Sequence, residues 1–568
     1  MAYTVFRTAP ATGSPKTEGD ASTKDIRARQ IDELVRQSES ARKEVYGVNW
    51  DEDCANVYNL VERSRKMPSF RPRIAAPQLQ LLLLQEAADA TDTNMRVFIH
   101  KEEGRDKQRE KAFQEHWKQE FFNLQFLMGQ IYAQFAGTAW IQAGNNPLAR
   151  RGKGNVWLRA RLPKSVHVDP ISPWPDDWTW QIFEDFVYLD TIKKEMPDHA
   201  ENIKRASARS ENLAGGAAAG TLEMPPGPMS VTMRGLPSGD QATTDGPMKR
   251  RTCYSLDTTM RDLKREEERE FVKRKLPVPD QVPKYPNGRM IVECEGTILA
   301  DGDSWCPLPE MWPAYPIWSV PPWDTVWCPP PMKYTKSLQD AAEQQMTMNY
   351  ENARRLNNGI MIIHASTGLT ANTVGGLPGE VLVAAANSQP GAGIDIKYPP
   401  PFASQQMDYP MKLLGLQKEL RGATPARQGN LNPGNVGPDL FEAAVSQSQA
   451  GTRLTARLFA WTVQRVAELL FFTMCKSYTD ERIFRDKDKV IKWQPDSAAE
   501  EFEIQVPEGA VRPLSQASLR SMVIELRKAG MMTVKHGLEM LDVPEYEEVA
   551  EAIEKEQAMA ALAKGIKK

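Results

Sequence analysis

The chain has 568 residues, of which 41% are hydrophobic and 26% charged, so it can bury several cores and neither a fibrous nor a wholly disordered class is expected. Lys and Arg number 71 against 74 Asp and Glu, a formal charge of −3, which excludes a protein that grips phosphates over a broad surface. Any contact with nucleic acid must be local or loose.

The opening MAYTVFRTAP lacks a basic segment followed by an apolar stretch. The longest apolar run, Leu81–Leu84 within Leu79–Ala90, is too short to span a bilayer, so neither secretion nor membrane insertion is expected. Residues 1–24 are rich in Thr, Ser, Gly, Pro and Ala without apolar period and are expected to form a mobile arm, with order beginning near Asp25. Ile26, Ile31, Leu34 and Val35 then recur at helical spacing, Pro68–Pro72 closes that region, and Leu79–Ala90 starts a further helix.

MRVFIH (95–100) has strand composition. A charged helix is expected from about Arg105 to Phe135, with Phe113, Trp117, Phe121 and Leu124 on one face, before GTAWIQAG, VWLRARL and SVHVDP return as strands. The first half thus predicts helices packed on a modest sheet, an α+β arrangement. From Arg205 to Arg250, Gly, Pro and small residues leave little to bury, which predicts a long insertion or flexible loop. Thr259–Lys275, dense in mixed charge, predicts a solvated helix. The Pro- and Trp-rich tract 276–332 holds YPNGRMIVECEGTILADG, where Asn287-Gly288 and Glu295-Gly296 supply turn chemistry, and is expected to be a small β module.

After Pro329–Pro331 a helix capped by Thr335 or Ser337 is expected to carry Leu338, Ala342, Met346, Tyr350 and Ala353 as one stripe and to stop at Asn357-Asn358-Gly359. Its remaining faces carry Gln, Asn and Arg, so only a narrow face suits an apolar core and neighbouring polar helices are its natural environment. IMIIHAS and EVLVAAA predict strands, Ser404–Leu420 a helix, and 422–439, rich in Gly, Pro and Asn, a loop. A long helix is expected from Leu440 to about Lys476, small and polar in its first half and apolar in its second, followed by short helices in 513–568 with Gly530 as a stop.

No GxxxxGK[ST], GxGxxG after a strand, HExxH or GxSxG is present, and the six cysteines form no CxxC pair. The six histidines are scattered; His536 and Glu539 share a helix face, but two groups do not make a metal site. Acidic clusters at Asp51–Asp53, Asp176-Asp177 and Glu184-Asp185 show no convergence on a metal pair and are expected to be solvated loops. No catalytic residue, metal or cofactor is assigned.

A long polar helix after a Pro/Trp-rich segment, a Gly/Pro/Asn loop and a long helix with a small, polar opening fit copies of a helix lying close around an axis, with hydrogen bonds replacing apolar burial. The succession RLPKSVHVDP, TIKKEMPDHAENI, YPNGRMIVECEGTILADG, SLQDAAEQQMTMNYENARRLNNG and LRGATPARQGNLNPGNVGPDLFEAAVSQSQAGTRLTARLFAWTVQRVAELLF resembles the portal, or head-to-tail connector, proteins of tailed bacteriophages, most visibly the short-tailed type. The resemblance covers most of residues 25–545.

It implies a non-enzymatic, dodecameric homo-oligomeric ring at one capsid vertex of a virion, assembled in host cytoplasm, through which double-stranded DNA is packaged and ejected. Its implied partners are a terminase motor, a tail adaptor and major capsid or scaffold proteins, with no membrane. On this reading residues 25–255 form most of an α/β wing, 256–275 a first stem helix, 276–332 a β-rich clip, 333–358 a second stem helix, and 359–421 strands and a helix returning to the wing. Residues 422–438 form the tunnel loop, 439–512 the long helix and wing completion, and 513–568 an α-helical crown.

The same resemblance puts Arg421, Thr424, Arg427, Gln428, Asn430, Asn432 and Asn435 at the channel, with the two arginines touching phosphates or pairing with carboxylates of the next subunit. It puts Leu338, Ala342, Met346, Asn349, Tyr350 and Asn352 at the stem interface. Trp305, Trp312, Trp318, Trp323 and Trp327 are candidates for a docking face or for a locally packed β module. The alternatives are a metal-dependent nuclease or other packaging enzyme, and another virion adaptor or collar protein.

Overall fold

The computed structural model describes residues 19–59, 74–91, 97–101, 104–147, 149–195, 247–273, 277–357, 360–363, 394–397, 404–422, 450–478, 482–486, 489–493, 503–505, 516–540, 549, 550, 553 and 555. These form an α+β structure.

Three helices come first: Gly19–Tyr46 (α1), Trp50–Tyr58 (α2) and Gln78–Thr91 (α3). The spacing of Ala28, Ile31 and Val35 places all three on the buried side of α1, whereas Ile26 is exposed. Phe98–Lys101 (β1) and Gly104–Arg105 (β2) follow.

The expected single helix over 105–135 is two, Lys107–Gln119 (α4) and Phe122–Ala136 (α5). The break is at Phe121, whose φ of 52° is left-handed, after a tightened turn in which Phe121 N donates to Lys118 O. That residue shifts the helical phase: Phe121 is 73% exposed and Leu124 is exposed, while Phe122 and Phe126 take over the inward row begun by Phe113 and Trp117. Trp117 stacks on Phe126 at 5.3 Å across the break, and its indole donates to Asn123 Oδ1 at 2.6 Å.

Next come Thr138–Asn146 (β3), the short helix Ala149–Gly152 (α6), Asn155–Arg161 (β4), Val166–Val168 (β5), Trp180–Tyr188 (β6) and Leu189–Glu195 (α7). Pro247–Ser255 (β7) follows, so the last residues of the expected insertion belong to a strand; the rest of the insertion lies outside the described residues. Met260–Asp262 (β8) precedes Arg265–Lys273 (α8), a shorter helix than the one expected over 259–275, because β8 pairs instead with Gln281–Pro283 (β9).

Arg289–Cys294 (β10) and Thr297–Asp303 (β11) form the expected hairpin. Glu295 and Gly296 both have positive φ, 47° and 82°, as a tight turn matched to strand twist requires. Ala314–Trp318 (β12) follows. Residues 276–332 nevertheless do not form a separate β module: β10 and β11 complete the antiparallel sheet β11-β10-β7-β6-β5, and β12 pairs with β3 in the sheet β12-β3-β4. Free strand edges of the first half, on β7 and β3, capture these strands, because an unpaired edge is a costly row of backbone donors and acceptors.

Pro331–Asn357 (α9) begins at proline, the residue pre-set for a first turn, so Thr335 lies inside the helix rather than capping it. Ile360–Ile363 (β13) pairs with Ile394–Lys397 (β14), and Ser404–Leu420 (α10) is as expected. EVLVAAA falls outside the described residues. The long helix is described over Ala450–Ser477 (α11). Then come the hairpin Arg482–Asp486 (β15) and Lys489–Trp493 (β16), Glu503–Gln505 (β17), which pairs with β1, and helices Gln516–Lys528 (α12) and Val534–Met540 (α13). Gly530, at φ 72°, closes α12 with paired bonds from Gly530 N to Arg527 O and Met531 N to Leu526 O, the stop expected there.

The largest core lies between the β12-β3-β4 sheet, α4, α5 and α11. Leu454–Ser477 is long and apolar enough to cross a membrane by length and composition, but 56% of it is buried, with Val463, Val466, Leu470 and Met474 inside this core. Each fully buried side chain of this size contributes about 1.5–3 kcal/mol, which accounts for the apolar second half of the helix without a bilayer.

Candidate functional site: a polar helix layer

The helix α9, expected to be too polar for an apolar core, is packed against α10, α3 and α5 of its own chain. Its inward row is not Leu338–Ala342–Met346–Tyr350 but Thr335, Gln339, Ala342 and Thr347, all buried. Leu338, Met346, Asn349 and Asn352 are half-buried at its margins, and Tyr350 is exposed. The phase differs from the expected one because hydrogen bonding, rather than apolar area, chooses the inward face.

Amide side chains staple the layer to neighbouring backbone. Gln339 Nε2 donates to Ala76 O and, at 2.7 Å, to Glu343 Oε1, which also accepts from Ala76 N at 3.0 Å. Gln417 Nε2 donates to Thr335 O at 3.3 Å, Gln78 Nε2 to Leu414 O at 2.8 Å, and Asn349 Nδ2 to Gln406 O at 3.1 Å. Lys336 meets Asp53 of α2 at 2.7 Å. A large share of the polar face is therefore satisfied within one chain. Tyr334, Met348 and Tyr350 of α9 and Met407, Tyr409, Met411, Leu416 and Leu420 of α10 stay exposed, on more than one flank of each helix.

Arg421, expected at the channel, makes an ion pair with Glu86 of α3 in the same chain and is largely buried. Its charge is engaged within the chain. Thr424, Arg427, Gln428, Asn430, Asn432 and Asn435 lie outside the described residues.

The tryptophans separate sharply. Trp312, Trp318 and Trp327 are buried in the main core; Trp318 stacks on Trp461 at 5.3 Å and donates to Val326 O at 3.2 Å. Trp305 is packed against that core with its indole donating to Tyr254 Oη at 2.9 Å. Only Trp323, 94% exposed, is displayed to solvent, so the docking face expected from Trp305, Trp312, Trp318 and Trp323 reduces to one residue. The cause is the pairing of β12 with β3, which turns this tract inward.

The acidic clusters are paired, not converging. Asp51 meets Lys164 at 3.2 Å, and Asp177 accepts from Ser172 Oγ at 2.6 Å. Glu184 and Asp185, expected in a loop, sit on β6 opposite Arg251 and Arg250 of β7. Lys249 lies 2.6 Å and Arg251 Nε 2.8 Å from Glu184, and Arg251 also reaches Asp32 of α1. Burial alone would lift the Glu184 carboxyl; the contacts with His167 and Lys249 outweigh it and hold the group well below the usual range. Glu293, on the next strand, is pushed up to about 7 by burial, against the Gly296 N–H and Arg251. This network was missed at sequence level, although the runs Glu184-Asp185 and Arg250-Arg251 are its signature once two strands are set antiparallel.

Reactive groups are quiet where described. Burial pushes the Cys294 and Cys328 thiols up to about 12 and raises Cys253 and Cys306 as well, which disfavours the thiolate. Burial lowers His116 to about 3; its Nε2 lies 3.2 Å from Tyr478 Oη. Among the described residues no group of three or more His, Cys, Asp or Glu side chains is arranged to hold a metal ion. The sequence matches no protein-family model and no curated protein.

Proposed function

We propose that the chain is the subunit of a portal-type ring through which double-stranded DNA passes, non-enzymatic and docked to a packaging motor and tail proteins. The ordered segments quoted above carry the resemblance, and one structural observation supports it: the α9–α10 layer is hydrogen-bonded within the chain yet leaves eight large apolar side chains of its two helices exposed. Large apolar side chains exposed in this number on two packed helices suit contacts with further copies of the chain.

The role of Arg421 changes on this account. It ties the end of α10 to α3 through Glu86 rather than touching DNA. The stem residues Asn349 and Asn352 are half-buried rather than exposed.

The test is Met407→Asp with Met411→Asp, both exposed, one turn apart on the same flank of α10 and outside the inner hydrogen-bond set. The doubly substituted chain should keep its helical circular dichroism and lose assembly into rings. Rings forming unchanged would reject this face as the subunit contact.

A further inference from the structure

The helix α1 is held down differently along its two halves. In the second half Ser38, Arg42 and Tyr46 are buried. Ser38 Oγ accepts from Val168 N at 3.3 Å, the Arg42 guanidinium donates to Pro163 O and lies over Trp50 and Trp327, and Tyr46 Oη accepts from Thr138 N at 3.2 Å. Tyr46, Trp50 and Trp327 belong to the main core, so this half is pinned to the body. The first half rests instead on a small separate core, where Ala28, Ile31 and Val35 pack with Trp180, Ile182, Cys253, Ile291 and Ile298 of the five-stranded sheet. Local opening favours segments with few buried apolar contacts, which makes the first half the one able to lift.

Two charged ties hold that half: Arg27 pairs with Asp301 of β11, and Asp32 with Arg251 of β7. The second tie is shared. Arg251 Nη1, the atom that meets Asp32, also faces Glu293 Oε2 of β10 at 3.8 Å, while its Nε donates to Glu184 of β6 at 2.8 Å. Lys249 of β7 reaches Glu184 at 2.6 Å, and His167 of β5 approaches the other Glu184 oxygen at 3.6 Å. Around Glu293 itself, Oε1 accepts from Gly296 N, the neighbouring Glu295 adds negative charge, and the residue opposite on β11 is the uncharged Ile298. With Glu293 protonated, Arg251 and Lys249 balance Asp32 and Glu184. With Glu293 ionised, the two cations face three carboxylates beneath α1, and the added charge competes with Asp32 for a single nitrogen.

We propose that the first half of α1 is a proton-gated strap: when Glu293 ionises, residues 26–35 lift from the sheet about the pinned second half and uncover the face around Cys253. The inference does not depend on ring formation. Burial pushes the Glu293 carboxyl up to about 7 from an ordinary 4.5, against the Gly296 N–H and Arg251, and lifting the strap returns it toward the ordinary value. The closed strap is therefore favoured most below about pH 4.5; that preference is lost as pH rises to about 7 and changes no further above it. Glu184 and Asp301 are held below their ordinary values and stay ionised across neutral pH. His167 lies beside the pinned half, whose Ser38 bonds the adjoining Val168, so lifting the strap leaves it covered.

Two buried thiols make the test internal to the molecule. Cys253 lies under α1, whereas Cys294 is buried with Leu189 and Ile192 of α7 in another small core. The full chain is pulsed with N-ethylmaleimide from about pH 5.5 to about pH 8, and labelling at each cysteine is read by peptide mass spectrometry. Taking the ratio of Cys253 to Cys294 removes the rise in thiolate common to both. That ratio should climb roughly 10- to 30-fold over the range, the upper figure corresponding to full return of Glu293 from about 7 to 4.5. Glu293→Gln, which keeps an acceptor for Gly296 N, should hold the ratio at its low-pH value throughout. If that variant misfolds, amide exchange of the wild type decides: protection factors of residues 28–35 should fall over the same range while those of 38–46 hold. A wild-type ratio that changes less than about twofold, an equal climb in Glu293→Gln, or protection lost equally from both halves of α1 would each overturn the proposal.

Discussion

Arg289→Met should be the most informative single lesion in the five-stranded sheet. The Arg289 guanidinium donates from Nε and Nη2 to both oxygens of Asp301 at 2.8 Å and from Nη1 to Asp257 Oδ2 at 3.0 Å, and both Arg289 and Asp257 are almost fully buried. Removing the cation leaves Asp257 a buried carboxylate without its counter-charge. Asp301 keeps a partial partner in Arg27 of α1. Breaking a buried pair from one side costs about 3–5 kcal/mol, and the retained Arg27 contact favours the lower end, about 3 kcal/mol. With a denaturant slope on the order of 3 kcal/mol per M, the urea midpoint followed by tryptophan fluorescence should fall by roughly 1 M at pH 7.

The pH dependence has a definite sign. Burial would raise the Asp301 carboxyl, but the Arg289 hydrogen bonds and charge outweigh it and hold the group below its ordinary value. A depressed carboxylate contributes fully above its unfolded value of about 3.9 and loses that contribution as pH falls through the lower folded value. The gap between wild type and Arg289→Met should therefore close below about pH 4. A gap under about 1 kcal/mol at pH 7, or one unchanged at pH 3, would refute the reasoning.

Glu293 has the opposite behaviour: with its folded carboxyl pushed up to about 7 from an ordinary value of 4.5, stability should decline as pH rises through that window, and Glu293→Gln should flatten this component in urea titrations while keeping an acceptor for Gly296 N–H. Trp318→Ala should cost about 3–5 kcal/mol in the same assay, whereas Trp323→Ala should lie within about 0.5 kcal/mol of wild type, because one is stacked in the core and the other is solvated. Phe121→Gly should be neutral or stabilising by up to about 1 kcal/mol, since glycine adopts the left-handed φ without cost and the lost ring is exposed; a loss above about 2 kcal/mol would show that the ring is held by a neighbour. Deleting residues 423–437 should leave assembly intact and impair DNA packaging or retention, and loss of assembly would contradict the tunnel-loop assignment.

Local chemistry was the legible part of the sequence. Turn residues Glu295-Gly296, the stop at Gly530 and the strand composition of 138–146 and 155–161 act within a few residues, and the structure follows them. The break at Phe121 was hidden because the apolar spacing on either side reads as one continuous row; only the phase shift, set by tertiary burial of Phe122 and Phe126, distinguishes two helices from one. The tryptophan tract stayed open between a docking face and local packing for a similar reason. Whether Trp312 and Trp318 anchor a partner or a core depends on which strand edge β12 finds, and that pairing spans more than 170 residues of sequence in the register Trp318↔Thr138.

The polar helix carries the broader lesson. Its composition correctly indicated that amides replace apolar burial, and the nearest supplier of hydrogen bonds proved to be α10 and the start of α3 in the same chain. Arg421 likewise satisfies its charge on Glu86 before any ligand arrives. On the proposed reading, identical neighbours cover only the exposed apolar side chains of α9 and α10, a narrower demand than completion of the whole helix.

Electron-microscopic class averages of the purified chain test the central claim most directly. The account predicts annular particles with a hollow axis and about 12-fold symmetry, as the resemblance to portal rings implies. Uniform monomers across salt and concentration, folded and showing no annular class, would contradict it.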